Sequence, residues 1–237
     1  MSKAQLELLS PEIHRDLHVD VNNYDDDAFK VNASYALAGE VASLAHDYPI
    51  FVTKAGPADT YQFTALLGFE SGENLFVEQG QWRASFMPID IIRRPFQIML
   101  PEGQSSGEGQ IAVDRSSLRL QGTHGMPLFD EEGKASAYLQ RIQTAFAQLM
   151  SNNKSSAAMA KNLVDLALVS PVKLTLSLKD DDKLQLPEVF SVDEEKLKLL
   201  DEKTLVDCHK SGALQLCYLM ISSLAHLEKM IGWKNQR

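Results

Sequence analysis

Alternation of apolar and polar positions is clearest from Asn74 to Leu100, NLFVEQGQWRASFMPIDIIRRPFQIML, which holds one of the two tryptophans, three of the ten phenylalanines and an Arg-Arg pair. Its first part has the period of a half-buried strand. Leu75, Val77 and the ring of Trp82 are therefore expected to face a core, with Gly80 in the turn between two short strands. Pro88 and Pro95 cannot donate to a ladder and punctuate the stretch. Short β segments are predicted before it, at Ile50–Thr53 and Tyr61–Gly68, joined by a loop through Gly56 and Pro57. After it, PEGQSSGEGQ has the composition of a flexible surface loop, and Ile111–Val113 with Leu118–Leu120 suggests a hairpin.

Helical spacing governs other stretches. Asn32 to Ala45 puts Tyr35, Leu37, Val41 and Leu44 at helical positions and stops at His46-Asp47-Tyr48-Pro49, because the residue before a proline is pushed out of the helical region. Tyr138, Leu139, Ile142, Phe146 and Leu149 recur as the apolar stripe of an amphipathic helix. Ser151-Asn152-Asn153 is expected to end it, and a second helix through Met159, Leu163 and Leu166 to stop before Pro171. Val172, Leu174, Leu176 and Leu178 then alternate with polar residues, predicting a strand with one wet face that turns at Asp180-Asp181-Asp182-Lys183 into a partner from Leu184 to Val189. Ser191 and Glu194 have capping-box spacing ahead of a helix over Leu197, Leu199 and Leu200. The closing run SGALQLCYLMISSLAHLEKMIGW, with Leu216, Tyr218, Leu219 and Leu227, is apolar enough for a buried helix or one that docks on a second copy of the chain.

These elements predict an α+β fold, an antiparallel β-rich central region packed against C-terminal helices. One domain is expected over residues 1–237: an N-terminal arm over 1–30, mostly β structure over 31–125, and mostly α structure with one β-hairpin over 130–237. The acidic run Asp25-Asp26-Asp27 is expected to be a solvated loop.

Charge narrows the partners. A net charge of -9 repels phosphate backbones and anionic membrane surfaces, so nucleic acid is not an expected partner. No apolar run reaches the roughly 18 residues of a membrane span, and the first residues lack the apolar stretch of a signal peptide. The two cysteines, Cys208 and Cys217, would lie about 13 Å apart along a shared helix, too far to pair. Two buried thiols fit a reducing, cytoplasmic setting.

Several segments occur together in order: LSPEIHRDLHVD, HDYPIF, ALLGFESGENLFVEQGQWRASFMPIDIIRRPFQI, Ala112-Val113-Asp114, LFDEEGKASAYLQ, FSVDEEKLKLLDE and GALQLCYLMISSLAHL. In this the chain resembles the SapC family, named after a surface-layer-associated protein and distinct from the peptide-uptake permease of the same name. The resemblance covers nearly the whole chain. The family's Tyr between the Arg pair and Pro-Phe is missing, since Arg93-Arg94 meets Pro95-Phe96 directly, and Glu188-Val189-Phe190 stands where a glycine is usual. What the resemblance implies is a surface-layer-related accessory role, in company with tryptophan-halogenase-like enzymes, cupin-like oxygenases and TonB-dependent receptors. It supplies no catalytic motif.

Two residue constellations could carry function. Arg93 and Arg94, beside Trp82, Phe86 and Phe96, combine the residue types that dominate interface hot spots and are expected to engage a protein or peptide; His14 and Arg15 are counted among the binding residues and are expected to hydrogen-bond to the domain and fix the N-terminal arm. No cofactor is expected on this view. Alternatively, His14-Arg15-Asp16-Leu17-His18-Val19-Asp20 contains His-x-Asp twice. His14, Asp16 and the distal His124 would then be the two-histidine, one-carboxylate set of a non-haem iron oxygenase. No G-x-S-x-G, H-E-x-x-H, P-loop or Rossmann glycine pattern occurs.

Overall fold

A computed structural model describes residues 5–56, 59–100, 109–179 and 183–237. The expected loop at 101–110 and the acidic turn at 180–182 lie wholly or largely outside the described residues. The fold is α+β, as its sequence pattern predicts, and the chain falls into two compact units. One comprises Met1–Lys30, Phe76–Arg83 and Ile89–Met150, and the other Val31–Leu75, Ala84–Pro88 and Ser151–Arg237.

The first unit is built on a three-stranded antiparallel sheet in the order Leu6–Leu8, Gln110–Asp114, Phe96–Met99. The N-terminal segment, expected as an irregular arm, thus supplies a sheet strand, a short helix Pro11–His14 and a strand His18–Val19 that pairs with Met126–Pro127. A hairpin of Val77–Glu78 and Gln81–Trp82 turns at Gln79 and Gly80, both at positive φ (50° and 71°), as a two-residue turn requires. Leu118–Leu120 is not the expected partner strand of 111–113 but a short 3-10 turn, because Ser117 caps it by accepting from the Arg119 amide. Val19, Phe96, Val113, Leu128 and Ile142 close the core of this unit.

The second unit carries a five-stranded antiparallel sheet in the order Val169–Val172, Val189–Val192, Ile50–Lys54, Tyr61–Leu66, Ala33–Ala36. The helix Ala213–Ser223 packs on the Val189–Val192 and Ile50–Lys54 strands, so a C-terminal helix does cover the sheet. The predicted helix over 32–45 is largely replaced: Ala33–Ala36 pairs with Tyr61–Leu66, and only Val41–Leu44 is α-helical. Ser151-Asn152-Asn153 does not end a helix either, since Ala137–Asp165 is continuous. The alternating run from Val172 divides, its first part pairing with Val189–Val192 and Thr175–Ser177 pairing with Lys183–Gln185. The helix Glu194–Lys198 is capped by Asp193, which accepts from the Lys196 amide, rather than by Ser191, which lies in a strand. Gly212, at φ 82°, separates Glu202–Ser211 from Ala213–Ser223 and places the two free, buried cysteines on different helices. The closing run likewise breaks into Ala213–Ser223 and His226–Lys234.

Candidate binding site

Within the first unit, a cleft of about 660 Å³ opens between the turn at residues 26–30, the Arg93–Gln97 segment and residues 114–121. The short helix Ile89–Ile92 leads into its wall. Asp90, on that helix, stands three and four residues before the arginines and takes both of them. Arg93 Nη2 lies 2.5 Å from Asp90 Oδ1, and Arg94 Nη2 lies 3.1 Å from Oδ2. Arg93 Nη1 also donates to the Phe96 carbonyl at 3.0 Å, and its guanidinium lies 5.7 Å from the Phe146 ring centroid. Arg94 donates through Nε to the Asp90 carbonyl and through Nη1 to the Ala28 carbonyl. The pair is thus clamped to one carboxylate with its orientation fixed, and it is only about four-fifths buried (side-chain exposures of 22% and 18%).

Beneath this wall sits a residue that the sequence pattern did not single out. Arg119 is 4% exposed. Its Nε donates to the Asp20 carbonyl and its Nη1 to the Arg94 carbonyl, both at 2.8 Å. The rings of Phe29 and Tyr24 lie 5.1 and 5.7 Å from its guanidinium carbon. Asp26, expected in a solvated run, is instead 2% exposed: its carboxylate accepts from the Ser117 hydroxyl at 2.6 Å and the Ala28 amide at 2.7 Å, closing the turn that forms the opposite wall. Only its neighbours behave as expected. Asp27 is solvated and held below the ordinary carboxylate value by the hydrogen bond from Lys30, whose ammonium is raised in return. The tell-tale available in the sequence was spacing: Asp90-x-x-Arg93-Arg94 is an i, i+3, i+4 ion-pair pattern. Nothing local marks Arg119, whose partners are about 25 and 99 residues away.

The remaining expected residues are scattered. Phe96 is wholly buried and lines the floor of the cleft, with Tyr138 tilted against it at 6.3 Å. Burial raises the Tyr138 phenol, whose hydroxyl has no hydrogen-bond partner among the described residues. Trp82 does not line the cleft; it packs between Tyr24 at 5.8 Å and Phe76 at 6.3 Å. Phe86 belongs to the second unit, where Asp47 accepts from its amide and Tyr48 donates to its carbonyl. His14 is fully buried, with Nε2 3.1 Å from the Glu7 carboxylate and Nδ1 3.2 Å from the Ser10 carbonyl. Arg15 is exposed and donates to the Glu131 carbonyl. Asp16 and His124 are both exposed while His14 is enclosed, and among the described residues no three His, Cys, Asp or Glu side chains are grouped to hold a metal. Nor is any described helix long and apolar enough to cross a membrane.

The family model described as SapC matches residues 9–230, nearly the whole chain. The chain belongs to the SapC family. No curated protein and no solved structure matches it. The cleft of this SapC-family chain offers fixed cations, the exposed amides of Gln97 and Gln121 and the apolar surface of Leu118, which is 46% exposed.

Proposed function

We propose that this SapC-family chain is a non-catalytic binding protein that engages a protein or peptide partner, in a surface-layer or halogenase- or oxygenase-associated pathway. The observation that carries the reading is the cleft itself: its arginines are immobilised by Asp90 and by carbonyls before any partner arrives, so binding costs little side-chain entropy. The pathway rests on the setting that the family resemblance implies.

The test uses the tagged full chain, drawn gently from its host, with co-purifying proteins quantified. The comparison is Leu118→Glu, which sets a new charge on an exposed residue lining the cleft. A near-stoichiometric partner retained by the parent and lost by Leu118→Glu is the expected result. A partner held equally by both places binding elsewhere, and the lack of any partner counts against a binding role.

A further inference from the structure

We infer that the cleft takes its partner as an added β-strand, an extended peptide of low net charge that pairs with the free edge of Phe96–Met99; this rests on the binding role proposed above. Phe96–Met99 is an edge strand, bonded on one side to Gln110–Asp114. The direction of its backbone groups follows from two independent observations. The Leu9 amide donates to the Ile111 carbonyl and the Arg115 amide to the Gln5 carbonyl, so residues 111, 113 and 115 face the Leu6–Leu8 side. Residues 110 and 112 therefore face Phe96–Met99, and their partners Met99 and Gln97 are the ones that bond back. From the other direction, the Phe96 amide donates to the Arg93 carbonyl and the Phe96 carbonyl accepts from Arg93 Nη1, so residue 96 points outward. Both lines put the N–H and C=O of Ile98 on the open edge, and no described residue meets them.

Proteins usually blunt such an edge with lysine, proline or a bulge. Here the strand is short and Pro95 stands just before it, but Phe96-Gln97-Ile98-Met99-Leu100 itself carries no charge and no proline, and Ile98 and Leu100 are 37% and 39% exposed. The cleft begins at this edge, since Phe96 and Gln97 line it, and extends past Ser116, Leu118 and Gln121. Ile98 itself does not line the cleft, so a strand paired there would reach it by running on past Gln97 and Phe96.

The occupant follows from size and charge. A second copy of the chain would pair edge to edge over a four-residue strand in which Phe96 is already taken by Arg93. That falls far short of the roughly 800 Å² per partner of a stable interface. A peptide is not so limited, because it can continue into the cleft. The lining balances Arg93, Arg94 and Lys30 against Asp26, Asp27 and Asp114, which suits a segment of low net charge.

The probe is a displayed library of random peptides of about ten residues, the length of a long strand, selected on the full chain. Alternating, weakly charged sequences are expected, and Ile98→Pro should weaken them by about tenfold, the loss of one or two backbone bonds. The Ile98 amide is not used by the sheet, and an edge strand tolerates proline. A second measurement is independent of that variant's folding: N-methyl groups on alternate peptide amides should abolish binding in one parity and leave it intact in the other. Peptides that bind Ile98→Pro as well as the parent, with both methylated series alike, overturn strand addition. If those peptides are still lost on Leu118→Glu, the cleft remains the binding site and only the strand mode falls. A library that yields no binder rejects both. A dimer of the free chain that Ile98→Pro dissolves would assign the edge to a second copy and overturn the peptide.

Discussion

Arg119 ties the cleft wall to residues distant in the chain, and its removal has a calculable cost. The guanidinium makes two hydrogen bonds of 2.8 Å, to the Asp20 and Arg94 carbonyls, and each is worth about 1.5–3 kcal/mol because the donor is charged. The faces of Phe29 and Tyr24 add about 0.5–2 kcal/mol each. These contributions are not additive, since water can enter the space left by the side chain and the neighbours relax. Arg119→Ala is therefore expected to destabilise the unit by about 3–5 kcal/mol. Arg119→Lys keeps the charge but loses the planar fork, so it should cost about 2–3 kcal/mol. Trp82 is a suitable reporter, because it packs 5.8 Å from Tyr24, one of the two rings on Arg119, and a Trp233→Phe background leaves it the sole tryptophan. At a urea slope of about 2 kcal/mol per M, Arg119→Ala should move the fluorescence midpoint down by about 2 M. An Arg119→Ala protein that unfolds within about 1 kcal/mol of its parent would refute the claim that this buried cation supports the wall.

Three further outcomes follow from other sites. Burial pushes the Cys217 thiol up to about 12 and raises Cys208 as well, so at pH 8 Cys217 should react with an aromatic disulfide at least about a hundredfold more slowly than in denaturant and Cys208 more slowly too; prompt labelling of either would contradict their placement. Burial alone would raise Glu73, but the hydrogen bonds from Lys234 and the Phe69 amide prevail and hold it below its ordinary 4.5. Its contribution is thus present above pH 4.5 and lost as pH falls through the lowered value, so the stability gap between parent and Lys234→Met should shrink in acid, and a gap constant from pH 7 to pH 3 would exclude the coupling. A Cβ on Gly68 would stand 2.4 Å from the Glu73 carbonyl oxygen, whereas one on Gly39 meets nothing within 4 Å. Gly68→Ala should cost about 1–3 kcal/mol and Gly39→Ala less than about 0.5 in thermal or urea unfolding, and equal effects would show that the backbone at Gly68 yields freely.

Much of the fold was legible where a signal is completed within a few residues. The turn at Gly80, strands close to the observed Ile50–Lys54 and Tyr61–Leu66, and the stripe of Leu139, Ile142 and Phe146 followed from spacing and turn chemistry, while the pairing of those two strands did not. The ordered segments carried the resemblance to the SapC family, and Arg93, Arg94 and Phe96, near neighbours in the chain, line one cleft. Trp82 did not join them, because its ring found Tyr24 and Phe76 instead.

What local pattern left open was decided by partners distant in the chain. Residues 33–36 carry enough helical spacing to be read as helix, yet the open edge of Tyr61–Leu66 offered a ladder that a short helix could not match. Asn152 and Asn153 favour helix ends, but the helix continues through them, and Asn153 accepts a hydrogen bond of 3.1 Å from Tyr35, over a hundred residues earlier. Asp26 and Arg119 illustrate the same point for the site. Their sequence neighbourhoods resemble solvated loops, and burial became affordable only because Ser117, Ala28 and the carbonyls of Asp20 and Arg94 converged on them. The sequence by itself determined the family, the α+β class and the local turns and stripes. Tertiary structure decided which strand paired with which and which charges were buried, because a backbone edge or a buried charge is satisfied only by groups that folding brings to it.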